Sequence, residues 1–147
     1  GGSTDEPEND TASPPNDGMD NENSQDLGND TITLDNEGFS AWVVTELEDT
    51  DVDVEQQVSN PEIELTEGTR YIFENDGGSA HPLGFRDEEG NTLLSQSNTG
   101  EFEDSDSVNW TDEGDFVEFT LTSELADRMS EYYCTVHPQM VGNIVVA

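Results

Sequence analysis

The chain has no lysine at all, and its only strong cations are Arg70, Arg86 and Arg128, set against 36 Asp and Glu for a formal net charge of -33. A surface that binds nucleic acid must neutralise phosphates with lysine and arginine, so that class of partner is excluded. No stretch reaches the roughly eighteen apolar residues that a membrane-spanning helix needs. No basic segment with an apolar stretch opens the chain, so no secretory leader is read there. A single cysteine rules out an internal disulfide and leaves the redox compartment open, while freeing Cys134 for other chemistry.

The acids are spread over nearly every expected loop instead of being massed on one face. Two readings compete: a surface built to stay hydrated in concentrated salt, or an acidic face for a basic partner protein. Spread charge and a complete loss of lysine are properties of a whole surface, which favours the first and a halophilic source. Mutual repulsion then opposes folding in dilute buffer and is relieved in brine.

Residues 1–30 hold nine acids and three prolines, with Ala12, Met19 and Leu27 as the apolar members and no aromatic. Too little apolar surface is available there to offset ordering, so this stretch is expected to be a disordered acidic tether, with the folded domain over 31–147. The Gly1-Gly2-Ser3 start fits either a lipoprotein chain that begins just after its lost lipid-bearing cysteine or a cloning remnant, and the sequence leaves both open. Beyond residue 30, short runs rich in Val, Ile, Phe, Tyr and Trp alternate with Gly, Asn and Asp turns. Strands are expected at 31–34, 39–47, 63–65, 70–74, 83–86, 92–96, 116–122, 132–135 and 141–146, with Phe119 and Leu121 read as facing opposite ways. Ser123 is read as the cap of one short helix over 123–129. Many short strands with few helical residues predict an all-β sandwich.

The chemically soft side chains are concentrated. Cys134-Thr135-Val136-His137-Pro138-Gln139-Met140 holds a thiol, an imidazole and a thioether, and the only other histidine, His81, follows a strand and a Gly-rich turn upstream. Taken singly each has an ordinary explanation: buried small hydrophobe, turn residue, surface residue, core filler. Together, Cys and two His with a weak Met ligand form a set suited to one copper ion that cycles between Cu(I) and Cu(II). Zinc is the chemical rival, since it accepts Cys and His, but it does not favour a thioether.

The run Glu131-Tyr132-Tyr133-Cys134-Thr135-Val136-His137-Pro138-Gln139-Met140-Val141-Gly142, followed by a terminal strand, resembles the C-terminal signature of cupredoxins, the type 1 blue copper proteins. Halocyanin, plastocyanin and amicyanin are the similar groups, and the compact spacing is most like amicyanin. The upstream Tyr71-Ile72-Phe73-Glu74-Asn75-Asp76-Gly77-Gly78-Ser79-Ala80-His81 has the form that family gives its first ligand. The resemblance implies a Greek-key cupredoxin sandwich with His81, Cys134, His137 and Met140 as copper ligands. It implies a monomeric one-electron carrier and not an enzyme, outside the cytoplasm and at the cell surface, tethered to the membrane. Redox donor and acceptor proteins would dock near His137, over an apolar rim of Leu83, Val136, Pro138 and Met140. A copper storage or delivery module is the alternative. Two prolines depart from the pattern. The family often has Asn directly after the first His, where this chain has Pro82 with no N–H to give, and Pro138 after His137 should stiffen the loop. The segment 83–109 receives no functional account.

Overall fold

The structure, a computed structural model, describes residues 30–50, 52 and 54–147. The expected tether over residues 1–29 lies outside the described residues, and Asp30 already opens the first strand. In chain order the strands are β1 (Asp30–Glu37), β2 (Ala41–Glu48), β3 (Ile63–Leu65), β4 (Arg70–Asn75), β5 (Leu83–Arg86), β6 (Thr92–Ser95), β7 (Thr111–Asp112), β8 (Phe116–Thr120), β9 (Glu131–Cys134) and β10 (Val141–Val146). A 3-10 turn spans Gly78–Ala80, and a short helix, α1 (Ser123–Arg128), precedes β9.

The strands form two mixed five-stranded sheets packed as a β-sandwich, in the orders β2-β1-β4-β8-β7 and β3-β10-β9-β5-β6. Parallel pairs β1/β4 and β10/β3 join strands distant in sequence, while the remaining neighbours are antiparallel. Period-two alternation decides the faces: in β4, Tyr71 and Phe73 point inward with Asn75, and in β3, Ile63 and Leu65 do so around exposed Glu64. Val117, Phe119 and Leu121 are all buried. The expected division of Phe119 from Leu121 therefore fails, because residues two apart on a strand share one face.

An aromatic seam closes the sandwich. Phe73 of β4 stacks on Phe119 of β8 with centroids 5.8 Å apart, and Phe85 from the opposite sheet meets both edge-on at 5.1 and 5.2 Å. Edge-to-face pairs are each worth about 0.5–1.5 kcal/mol beyond the area they bury. Tyr132, fully buried, donates its O–H to the Pro61 carbonyl and lies so close over Gly142 that a Cβ there would meet its ring at 2.4 Å.

Several elements differ from the sequence reading: β1 runs on to Glu37, and β8 stops at Thr120 short of the expected residue 122. Strand β7 was not expected: it is two residues long and held only against β8. The helix is capped one residue earlier than Ser123, by Thr122, whose hydroxyl accepts from Leu125 N at 3.2 Å. Phe39 and Gln96, both read as strand residues, lie just outside β2 and β6.

Candidate metal centre

Strand register brings the soft residues together. In the β5/β9 ladder Leu83 sits opposite Cys134, so His81, two residues upstream of Leu83, reaches the thiol from the neighbouring strand end. On the other side Cys134 leaves β9 into a tight turn, in which Cys134 N donates to the Met140 carbonyl at 2.9 Å and Met140 N donates to the His137 carbonyl at 2.9 Å. That closed turn folds His137 back over the sulfur.

The result is a compact donor set. Cys134 Sγ lies 3.9 Å from His81 Nδ1 and 3.5 Å from His137 Nδ1, and the three ligand atoms all fall within 4.8 Å of one another. Metal bonds of about 2.0 Å to nitrogen and 2.3 Å to sulfur, at angles between tetrahedral and trigonal, separate N from S by about 3.5–3.7 Å. The observed spacings thus fit a single ion with a contraction of a few tenths of an ångström. Cys134 and Met140 are fully buried, His81 nearly so, and His137 is half-buried. All four sequence-predicted residues therefore belong to one end of the sandwich, with Met140 beneath the turn that carries His137.

The surroundings of the two imidazoles differ. His81 is wedged beside Trp42, which meets it edge-on at 6.3 Å between centroids. Burial holds the His81 imidazole below the ordinary histidine range, nearby His137 pushes it the same way, and Asp35 opposes them. A neutral imidazole is the form that ligates a metal. His137 carries Phe39 as a stacked neighbour, centroids 4.9 Å apart and planes at 28°. Gln139 Nε2 donates to the Phe39 carbonyl at 2.5 Å, tying this turn to the ligand loop. Phe39 is 65% exposed and Val136 56% exposed, whereas Leu83 and Met140 are fully buried. This corrects the expected apolar rim: Leu83 is a core residue of β5 and Met140 packs under the turn, so the apolar surface around His137 is made by Phe39, Val136 and Pro138.

Residues missed by the sequence reading complete the site. Asn75 Nδ2 donates to the His81 carbonyl and to Gln96 Oε1, both at 2.8 Å, while Asn75 Oδ1 accepts from Gly77 N at 2.9 Å. Ser97 Oγ donates to Thr135 Oγ1 at 2.6 Å, next to Cys134. Pro82, lacking an N–H, uses its carbonyl to accept from Thr135 N at 3.0 Å. The hydrogen-bond neighbours of Cys134 Sγ among the described residues are the two imidazole nitrogens. A signal for Asn75 was present in its place at the end of a strand before a Gly-Gly turn; none marked Gln96.

No protein-family model matches the chain, and no curated protein matches it. Among solved structures, the reduced state of an amicyanin bearing a proline-to-phenylalanine substitution is 17% identical, over 80% of this chain and 82% of its own, with a TM-score of 0.37.

Proposed function

We propose that this chain is a mononuclear type 1 copper protein that carries single electrons between redox partners at the cell surface, and not an enzyme. The observation that carries the reading is the convergence of His81 Nδ1, Cys134 Sγ and His137 Nδ1, with the buried thioether of Met140 on the same turn. Copper bound there supplies a Cu(I)/Cu(II) couple. The protein supplies the rest: His81, Cys134 and His137 would hold the ion, the Met140 thioether would offer a soft donor that zinc does not favour, and burial of Cys134 keeps water from the sulfur. Because both ligand segments are tied by backbone hydrogen bonds, little rearrangement is available to them when charge moves.

His137 is the ligand nearest solvent, and Phe39, Val136 and Pro138 surround it with apolar surface. Partner proteins dock there through shape and apolar contact, since every arginine is engaged elsewhere and brine screens long-range steering. The acidic composition fits a halophilic setting, and the composition of the residues before Asp30, where the folded domain opens, fits a tether to a membrane anchor. The protein works as a monomer. Among the described residues no helix is long and apolar enough to cross a membrane.

The direct test is to add Cu(II) to the purified chain and record visible and paramagnetic resonance spectra, then repeat with Cys134→Ser. The wild-type chain should develop intense thiolate-to-copper absorption and a reversible one-electron wave, and the variant should lose the absorption. A wild-type chain that takes up zinc but gives no such band overturns the reading. Copper that passes to a chelator within seconds would instead identify a delivery module.

A further inference from the structure

The loop that presents His81 sits just before the start of β5, where a sheet ladder ordinarily frays. Every backbone polar group of 81–83 nevertheless has a partner. His81 N donates to the Gly78 carbonyl at 3.0 Å, the His81 carbonyl accepts from Asn75 Nδ2, and the Pro82 carbonyl accepts from Thr135 N. The two groups of Leu83 both go to one residue: Leu83 N donates to Gln96 Oε1 at 2.9 Å, and the Leu83 carbonyl accepts from Gln96 N at 2.9 Å. Strand β6 ends at Ser95, so at this point the side chain of Gln96 stands in for the backbone acceptor that the strand no longer offers.

The amide of Gln96 is used to capacity. Oε1 accepts from Asn75 Nδ2 as well as from Leu83 N, which orients the very amide that holds the His81 carbonyl. Nε2 donates to Asp112 Oδ1 at 3.1 Å, at the end of β7, and to the Gly114 carbonyl at 3.0 Å, in the turn between β7 and β8. Gln96 therefore joins the end of β6 in one sheet to the β7–β8 turn of the other, across the mouth of the sandwich where His81 emerges. A side-chain amide can make four such bonds, and leaving them unmade strands the part-buried Leu83 N–H and Asn75 amide while releasing the exposed Asp112 and Gly114.

We propose that Gln96 is a positioning residue: through Leu83 and Asn75 it locks the His81 loop in register with Cys134, alongside the bond from Thr135 N to the Pro82 carbonyl. Its purpose rests on the copper reading, but the lock itself belongs to the metal-free protein. Asn75 relays the constraint to the His81 carbonyl, and Ser97 fixes Thr135 on the opposite ligand segment, so residues 95–97 brace both halves of the site.

The experiment compares the full chain with Gln96→Leu, with the shortened amide Gln96→Asn, and with Thr122→Ala as a destabilised control remote from the centre. In the metal-free proteins, amide hydrogen exchange at Leu83 should accelerate at least about tenfold in Gln96→Leu and less in Gln96→Asn, and stay unchanged in Thr122→Ala. After loading with Cu(II), loss of copper to a chelator should be about 10–100-fold faster in Gln96→Leu, the range that loss of a group supporting a ligand commonly brings. Its paramagnetic resonance spectrum should change, while Thr122→Ala keeps the wild-type spectrum. Wild-type exchange at Leu83 in either Gln96 variant overturns the proposal, and should Gln96→Leu fail to fold, Gln96→Asn decides it. Copper loss from Thr122→Ala as fast as from Gln96→Leu would overturn it too, since loss would then merely follow global stability. A wild-type chain that binds no copper defeats the carrier reading, whereas Leu83 exchange still decides the lock.

Discussion

Individual side chains carry the site, and their surroundings make them testable. Cys134 Sγ has the two imidazole nitrogens as its hydrogen-bond neighbours among the described residues, and the residue after His81 is Pro82, which donates nothing. Hydrogen bonds to a ligating sulfur withdraw electron density and favour the reduced state, so a centre short of one should have a depressed potential. Pro82→Asn is expected to raise the midpoint potential; protein-film voltammetry showing an unchanged or lower value would count against this. Gly142 offers a packing test. A methyl group there meets the buried Tyr132 ring at 2.4 Å, so Gly142→Ala should destabilise the fold by about 1–3 kcal/mol, read as a lower urea midpoint. Gly142 stood inside the run that carries Cys134, His137 and Met140, yet only the packing shows why position 142 has no side chain.

Elements place those side chains, and their ends matter more than their middles. The strong alternation in β4 and β8 and the β-branched run in β10 make these strands readable from spacing alone. Phe39 and Gln96 were not, because each sits where a strand stops, and whether the backbone continues by one residue depends on what lies beside it. Phe39 leaves β2 to stack on His137; Gln96 leaves β6 to meet Leu83. The helix start shows the same uncertainty on a smaller scale. Thr122 and Ser123 are both good caps, and the hydroxyl that reaches Leu125 N belongs to Thr122. Thr122→Ala should cost about 1 kcal/mol, measured by thermal melting, because the N-terminal N–H loses its acceptor. A turn element also has a pH signature. Asp87 accepts from Asn91 and Arg128, and both, Asn91 foremost, hold its carboxyl well below the usual carboxylate range. The folded state thus binds fewer protons than the unfolded one, so this contribution is complete above the unfolded value of about 3.9 and is lost as pH falls below it. The gap in urea midpoint between wild type and Asp87→Asn should be full at neutral pH, begin to narrow below about pH 3.9 and close only in strong acid, well below the usual carboxylate range.

The whole molecule is governed by its charge. Arg70 pairs with Glu118 at 2.7 Å, Arg86 with Glu131 at 2.7 Å, and Arg128 with Asp87 at 2.9 Å and Glu101 at 3.1 Å. The part-exposed pairs of Arg70 and Arg86 are worth at most about 1 kcal/mol each, and with Arg128, whose partner Asp87 is buried, three cations offset little of a net charge of -33. Molar salt shortens the Debye length to about 3 Å and screens the repulsion that remains. Each 1 kcal/mol so relieved lifts Tm by about 4 °C, and the gain between dilute buffer and molar salt is expected to exceed that. Equal melting temperatures in the two conditions would remove the halophilic reading.

Composition and spacing by themselves determined that the chain is an acidic β-domain with four soft residues in a copper-like order, because apolar period and donor chemistry are local properties that survive without a fold. Only the tertiary structure decided that His81 meets Cys134, since that depends on the β5/β9 register across a gap of 53 residues. It also decided what holds the meeting in place. Gln96 and Asn75 act through hydrogen bonds to backbone groups whose partners exist only after two sheets have packed, and no pattern along the chain encodes which amide will be left facing which carbonyl.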